Sequence, residues 1–289
     1  INGTTITTTG ASGSGLFANA GTITASNVAV TTSGASGYGA YAVMGSTITL
    51  QDARVTTQGS SGYNLLSYGA NSRVIGTNVT ALSTNSNAPG ATAWGTTATD
   101  NVALSLTGGS VQTQGTNSHG LYARGALATL SVDGTSVTTS GQGAFAARVI
   151  NGTLNASNAT LQASGVDGTG LGLSSDAGVT ATATLTGGTL SSAQSDAIAV
   201  NGGTAQVTLT GTQVTGASRW LHVIGTSTLT ANPLAAPDAT TATGVNSTGL
   251  SGVGVTVLPG AVSAPAAGPT SVATVSYTHL RAHETREDL

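Results

Sequence analysis

Short runs in which apolar residues alternate with threonine or serine recur along most of this chain. Examples are Thr47-Ile48-Thr49-Leu50, Ala103-Leu104-Ser105-Leu106, Thr129-Leu130-Ser131-Val132 and Val207-Thr208-Leu209. A period of two is the signature of a strand with one face packed and the other in water. Between the runs lie Gly, Asn, Ser and Asp, the residues that make tight turns. No segment combines a helical period with helix caps. The pattern predicts an all-β protein.

The runs are organised as a repeat. A motif of the form V-x-T-x-G returns with first residues Ile6, Val30, Val55, Val79, Val111, Val137, Leu161, Leu190 and Val214, mostly 24 to 26 residues apart. A second segment follows in many copies: Gly15-Leu16-Phe17-Ala18, Gly39-Ala40-Tyr41-Ala42, Gly120-Leu121-Tyr122-Ala123 and Gly143-Ala144-Phe145-Ala146. The alternating runs form the third. Three short strands in one repeat make one triangular coil, and stacked coils give three parallel sheets around a narrow interior. The prediction is a parallel β-helix of about nine three-strand coils, right-handed by the usual rule for parallel crossovers. At about 4.8 Å per coil, the rod would be roughly 43 Å long.

The anchors would point inward with a hydroxyl stack of Thr32, Thr57, Thr113 and Thr139 beside them, each bonded to backbone or to another hydroxyl. Two long spacings locate insertions, expected near Asn85-Ser86-Asn87-Ala88-Pro89 and near Ser174-Ser175-Asp176. The repeats cover about residues 1–230. Residues 231–275 hold five of the six prolines and read as a linker, insertion or degenerate coil, with Val253–Val257 as one possible strand. Residues 276–289 carry five of the 17 charges. Their string, SYTHLRAHETREDL, resembles a translated sequencing adapter, and the expectation is that it is not native and packs against nothing.

Composition narrows the function. There is no Cys, hence no disulfide framework or thiolate chemistry. Charged residues are 6% of the chain, the net charge is -3, and every basic residue is Arg, which argues against a nucleic-acid footprint. Ser and Thr together number 84 of 289 residues, so the surface is hydroxyl-rich rather than ionic. No apolar run is long enough for a membrane-spanning helix. The chain opens at Ile1 with no signal-peptide pattern and is expected to be a processed product or fragment.

The unit from Val111 to Ala123, and Val30-Thr31-Thr32-Ser33-Gly34 followed by Gly39-Ala40-Tyr41-Ala42, resemble the passenger repeats of bacterial autotransporters. That resemblance, to pertactin-like and adhesin-like β-helices, implies an extracellular or bacterial cell-surface location. It also implies an outer-membrane barrel elsewhere in the full protein, and host or cell-surface glycans or proteins as partners. Virulence-related adhesion is the implied role, with no cofactor.

No catalytic constellation emerges from the residues. Asp167 and Asp196 fall in adjacent coils and are the nearest approach to a metal pair, against an ordinary turn role. Asp52 and Asp133 occupy similar repeat positions three coils apart. His119 and His222 are lone, with no Ser or Asp partner by spacing, and a turn or surface role is expected. Alternation puts Phe17, Tyr41, Tyr122 and Trp220 on the outer face as an exposed aromatic binding stripe. Two rival functions share the fold. A pectate-lyase-like polysaccharide enzyme would need clustered acids. An ice-binding helix would need an unbroken outward threonine ladder, here read as Thr7, Thr31, Thr56, Thr80, Gln112, Thr138, Gln162, Ser191 and Thr215.

Overall fold

The computed structural model describes residues 1–224, 228–234 and 255–257, with side chains through Ser218 and at Leu221 and His222. The first turn consists of β1 (Thr5–Thr8), β2 (Leu16–Asn19) and β3 (Thr22–Ser26). Each strand founds its own parallel sheet, to which every later turn adds one strand. Two sheets reach nine strands and the third reaches ten. No helix occurs among the described residues. This is the parallel β-solenoid that the repeat predicts. The third sheet continues through Thr228–Leu234 and ends on Val255–Val257, inside the segment read as a degenerate strand. Residues 276–289 lie outside the described residues.

The core is a set of columns. Val30, Val55, Val111, Val137, Leu161 and Leu190 stack along the first sheet, each 1% exposed or less. Leu16, Ala40, Leu65, Ala91, Leu121, Ala147 and Leu171 stack along the second. Large and small residues alternate in the second column because the interior is thin and neighbouring layers must interlock. At Gly76 of the third sheet the missing side chain is replaced by a neighbour. A Cβ there would lie 2.7 Å from Leu106 Cδ2.

The fourth anchor departs from the sequence reading. The residue in register with Val55 and Val111 is Ala81, not Val79. Val79 occupies the preceding corner, where its carbonyl accepts the Ser110 N–H at 2.8 Å. A β-branched residue two positions early imitates the anchor, and the true anchor is only a methyl group. The outward ladder therefore reads Thr56, Leu82, Gln112 across this region.

The hydroxyl stack is present and buried. Thr32 Oγ1 donates to Gly37 O at 3.4 Å, Thr57 and Ser83 share a 2.9 Å bond, and Thr113 Oγ1 donates to Ser118 O. Thr139 differs from the expectation, because its buried hydroxyl has no partner.

Both insertions lie at the corner between the second and third sheets. Eight residues separate Trp94 from Ala103 where four separate Tyr68 from Arg73. Seven separate Ser174 from Thr182 where two separate Ile150 from Thr153. The second insertion falls where the sequence placed it. The first does not: Asn85–Pro89 is an ordinary turn, with Asn87 (φ +52°) above Ser61 (φ +57°) and below Asn117 (φ +55°). A polar turn and a polar insertion have the same composition, so composition could not separate them.

The inserted loop after Trp94 is organised by Asp100. Its Oδ2 accepts Thr96 N at 2.8 Å, Thr96 Oγ1 at 2.7 Å and Thr97 N at 3.1 Å, and its Oδ1 accepts Thr97 Oγ1 at 2.8 Å. Those hydrogen bonds, led by the two side-chain hydroxyls, pull its carboxyl from 3.8 down to about 2. The order they impose should be complete above about pH 4 and lost as pH falls through about 2, with Asp100→Asn showing the loosened loop at every pH. Limited proteolysis at Thr96–Thr99 across that range measures it.

One corner requires glycine for steric reasons. Gly34, Gly59, Gly115, Gly141 and Gly165 lie above Gly10, Gly34, Asn85, Gly115 and Gly141, and a Cβ at any of them would come within 2.1 Å of the carbonyl oxygen below. Another corner is a left-handed column in which Asn27, Asp52, Asn78, Gly134 and Asn158 all have φ between +48° and +60°. Asp52 thus matches Gly134 rather than Asp133, which is one residue earlier at a strand end beside Ser157. Gly115→Ala should cost at least about 2 kcal/mol through backbone displacement. Gly134→Asn should change stability by no more than about 0.5 kcal/mol, since Asn already occupies that column. Denaturant melts of the two variants make the comparison.

Candidate binding surface

The second sheet carries the distinctive side chains, because stacking turns a repeat position into a surface column. The outward column runs Phe17, Tyr41, Leu66, Thr92, Tyr122, Arg148, Gly172, Ala199 and His222. Two positions later along each strand, a parallel column includes Val43, Tyr68, Trp94 and Arg124. A third column comes from the turn entering each strand: Tyr38, Tyr63, Pro89, His119, Phe145, Thr169 and Asp196, linked through backbone bonds such as Gly90 N to His119 O.

These columns interdigitate into an aromatic band. Phe17 and Tyr41 centroids are 5.3 Å apart, Tyr38 and Tyr41 4.8 Å, Tyr38 and Tyr63 6.0 Å, Tyr63 and Trp94 6.0 Å, and Tyr68 and Trp94 5.6 Å. Most pairs are tilted or edge-on, the arrangement that aromatic quadrupoles favour. The Arg124 guanidinium lies 4.8 Å from the Trp94 centroid. Beyond it a second cluster forms, with His119 5.6 Å from Tyr122 and 5.1 Å from Phe145. Burial pushes the Tyr63 hydroxyl up to about 12, with Tyr122 and Tyr38 adding to the shift.

Of the four residues expected to form an exposed stripe, Phe17 is half exposed and Tyr41 is half-buried. Tyr122 does leave the outer face, but at 7% exposure it lies beneath its neighbours. The turn column, which strand parity cannot show, supplies His119, edge-on to the ring, and Arg148, next in the outward column, lies 6.0 Å from it. Trp220 lies in the strand Arg219–Ile224, between residues paired with Asp196 and Ile198, and its side chain is outside the described residues. Tyr38, Tyr63, Tyr68, Trp94 and Phe145 complete the surface and were not singled out in the sequence. The available signal was a ring two residues before a second-sheet strand, as at Tyr38, Tyr63, His119 and Phe145; the last was read inside Gly143-Ala144-Phe145-Ala146, but the strand there is Ala147–Ile150.

His222 departs from expectation, whereas His119 keeps its expected turn position but is buried. His119 is buried at 5% exposure, its Nδ1 accepting the Phe145 N–H at 3.2 Å. Burial first, and the Arg148 charge second, push its pKa down to about 3, so the ring is neutral. His222 has an acidic partner after all, with its Nδ1 2.8 Å from Asp196 Oδ2. Their sequence offset of 26 amounts to one turn of the solenoid, a separation that reads as distance in sequence and contact in space. Asp196 stacks over Thr169 through the Gly170 N to Asp196 O bond, while Asp167 is an exposed left-handed turn residue two positions earlier. The Asp167–Asp196 pairing is therefore not formed. No group of three or more His, Asp or Glu side chains comes together among the described residues.

No protein-family model and no curated protein matches the chain. Its character rests on the parallel β-solenoid and this asymmetric surface.

Because Tyr122 is buried, Tyr122→Ala should destabilise the rod by about 2–4 kcal/mol, as should the inward Leu121→Ala. Phe17→Ala, which removes a half-exposed ring, should cost about 1 kcal/mol or less. Thermal and denaturant melts of the three variants check the ordering.

Proposed function

We propose that the chain is part of a bacterial cell-surface or secreted passenger of the autotransporter type, acting in adhesion through the outer face of its second sheet. The observation that carries this reading is the aromatic band. On a chain with 6% charged residues and abundant Ser and Thr, tyrosine, tryptophan and phenylalanine concentrate on one face over consecutive turns. Rings with one face or edge open to water suit sugar rings or partner side chains. The solenoid supplies rigidity and repeats the spacing along the rod. Host or cell-surface glycans or proteins are the partners this reading implies, without a cofactor.

The rivals have less support. A polysaccharide-cleaving enzyme has the Asp196–His222 pair in its favour but lacks clustered acids among the described residues. An ice-binding face on the first sheet is interrupted by Leu82, Gln112 and Gln162.

The test displays the chain on beads and measures attachment to host-cell monolayers. Phe17→Ala and Tyr41→Ala together should reduce attachment several-fold while leaving the melting temperature within a few degrees. Unchanged attachment by a folded double variant would remove the band from the explanation.

A further inference from the structure

Past Arg148, the outward column of the second sheet drops to Gly172 and Ala199 before rising again at His222. Two small residues in succession leave a notch of about 170 Å³ in a surface otherwise filled by large side chains. Phe145 folds over the strand to form part of its lining. A Cβ on Gly172 would come 2.4 Å from Phe145 Cε1, so the ring occupies the space that a side chain would take. Arg148 stands at one side, its guanidinium 5.3 Å from the Phe145 centroid. Asp196 and Asn201 stand at the other.

Arg148 is poorly compensated where it stands. Among the described residues it has no carboxylate partner; its contacts are two rings and His119. With His119 Nδ1 accepting from Phe145, the ring proton belongs on Nε2, 3.0 Å from Arg148 Nη1, so one N–H faces another. The opposite tautomer moves the conflict to the Phe145 N–H. With the proton on Nε2, Arg148 has rings beside it but no acceptor, and an anion in the notch would supply one. Across the notch, the Asp196 carboxylate, its Oδ2 already held by His222 Nδ1, is a further acceptor site, and the Asn201 amide both donates and accepts.

We propose that this notch binds a single carboxylate-bearing sugar residue at the end or along the chain of a glycan. Arg148 takes the carboxylate in a two-pronged bond, the Phe145 ring takes an apolar face of the pyranose, and Asp196 and Asn201 take ring hydroxyls. The polarity across the site, cation to carboxylate, selects a ligand with an acid at one side and hydroxyls at the other. The proposal rests on the reading of the second sheet as the contact face and names the sugar chemistry it favours.

The experiment titrates the whole chain with a glucuronic-acid-terminated oligosaccharide, its glucose-terminated counterpart and free acetate, by calorimetry. The acidic sugar is expected to bind at least about tenfold more tightly than the neutral one, with acetate weaker than both by a further similar factor. Arg148→Gln should erase the preference for acid. Ala199→Leu, which fills the notch from an outward position, should abolish binding of both sugars. Equal affinity for the two sugars in the unaltered chain overturns the proposal and needs no variant. So does acetate matching the acidic sugar, which would mean an anion contact without sugar recognition. Should Phe17→Ala with Tyr41→Ala leave attachment intact while uronate binding still depends on Arg148, the adhesion reading fails and the notch stands. The reverse result removes the notch alone.

Discussion

The main features of this molecule follow from one constraint: each turn must lie directly on the one before it, its backbone amides donating by turns to carbonyls of the coil beneath and of the coil above. That ladder fixes a residue above its equivalent one repeat earlier, whatever the side chains. A position in the repeat thereby becomes a column in space. Where the columns face inward they must be apolar and must share a narrow interior, hence Leu over Ala over Leu along the second sheet. At one corner a Cβ would strike the carbonyl beneath, hence glycine above glycine from Gly10 to Gly59 and from Gly115 to Gly165, with Asn85 the exception between them. Where it needs a left-handed residue, Asn, Asp and Gly take turns.

The same constraint explains what was legible in the sequence. Strand period, coil length and inward anchors are set by nearest-neighbour stacking, and they appear as a visible repeat. The second insertion was legible because it lengthens the spacing between anchors and its polar run, Ser174-Ser175-Asp176, leads from one strand toward the next. Ala81 was not, because a small anchor carries little hydrophobic signal beside Val79. The burial of Tyr122 was not legible either. Strand parity tells which face a side chain leaves from, but not whether a residue from the adjoining turn folds over it. His119 does so from the turn that enters the strand of Tyr122, and Arg148 does so from the next turn of the solenoid.

The surface has a direction. Toward the first turn, the outer face of the second sheet is ring on ring, and burial raises the pKa of the Tyr41 and Tyr63 hydroxyls. Toward the later turns, the rings give way to Arg148, then to a depression, then to the Asp196–His222 pair. Because charges are scarce on the chain, each retained one has an outsized local field. The proposed acid-sugar site lies between the Arg148 cation and the buried Asp196 carboxylate.

Both insertions open from a single edge, after Trp94 and after Ser174, and neither disturbs the register of the strands that follow. Slack in the chain is vented there as a pleat is let out along a seam. A garment altered at its seam keeps its cut. A solenoid built this way can lengthen, shorten or decorate that border turn by turn while its three walls stay aligned. The ornament then hangs beside the aromatic face, never across the interior.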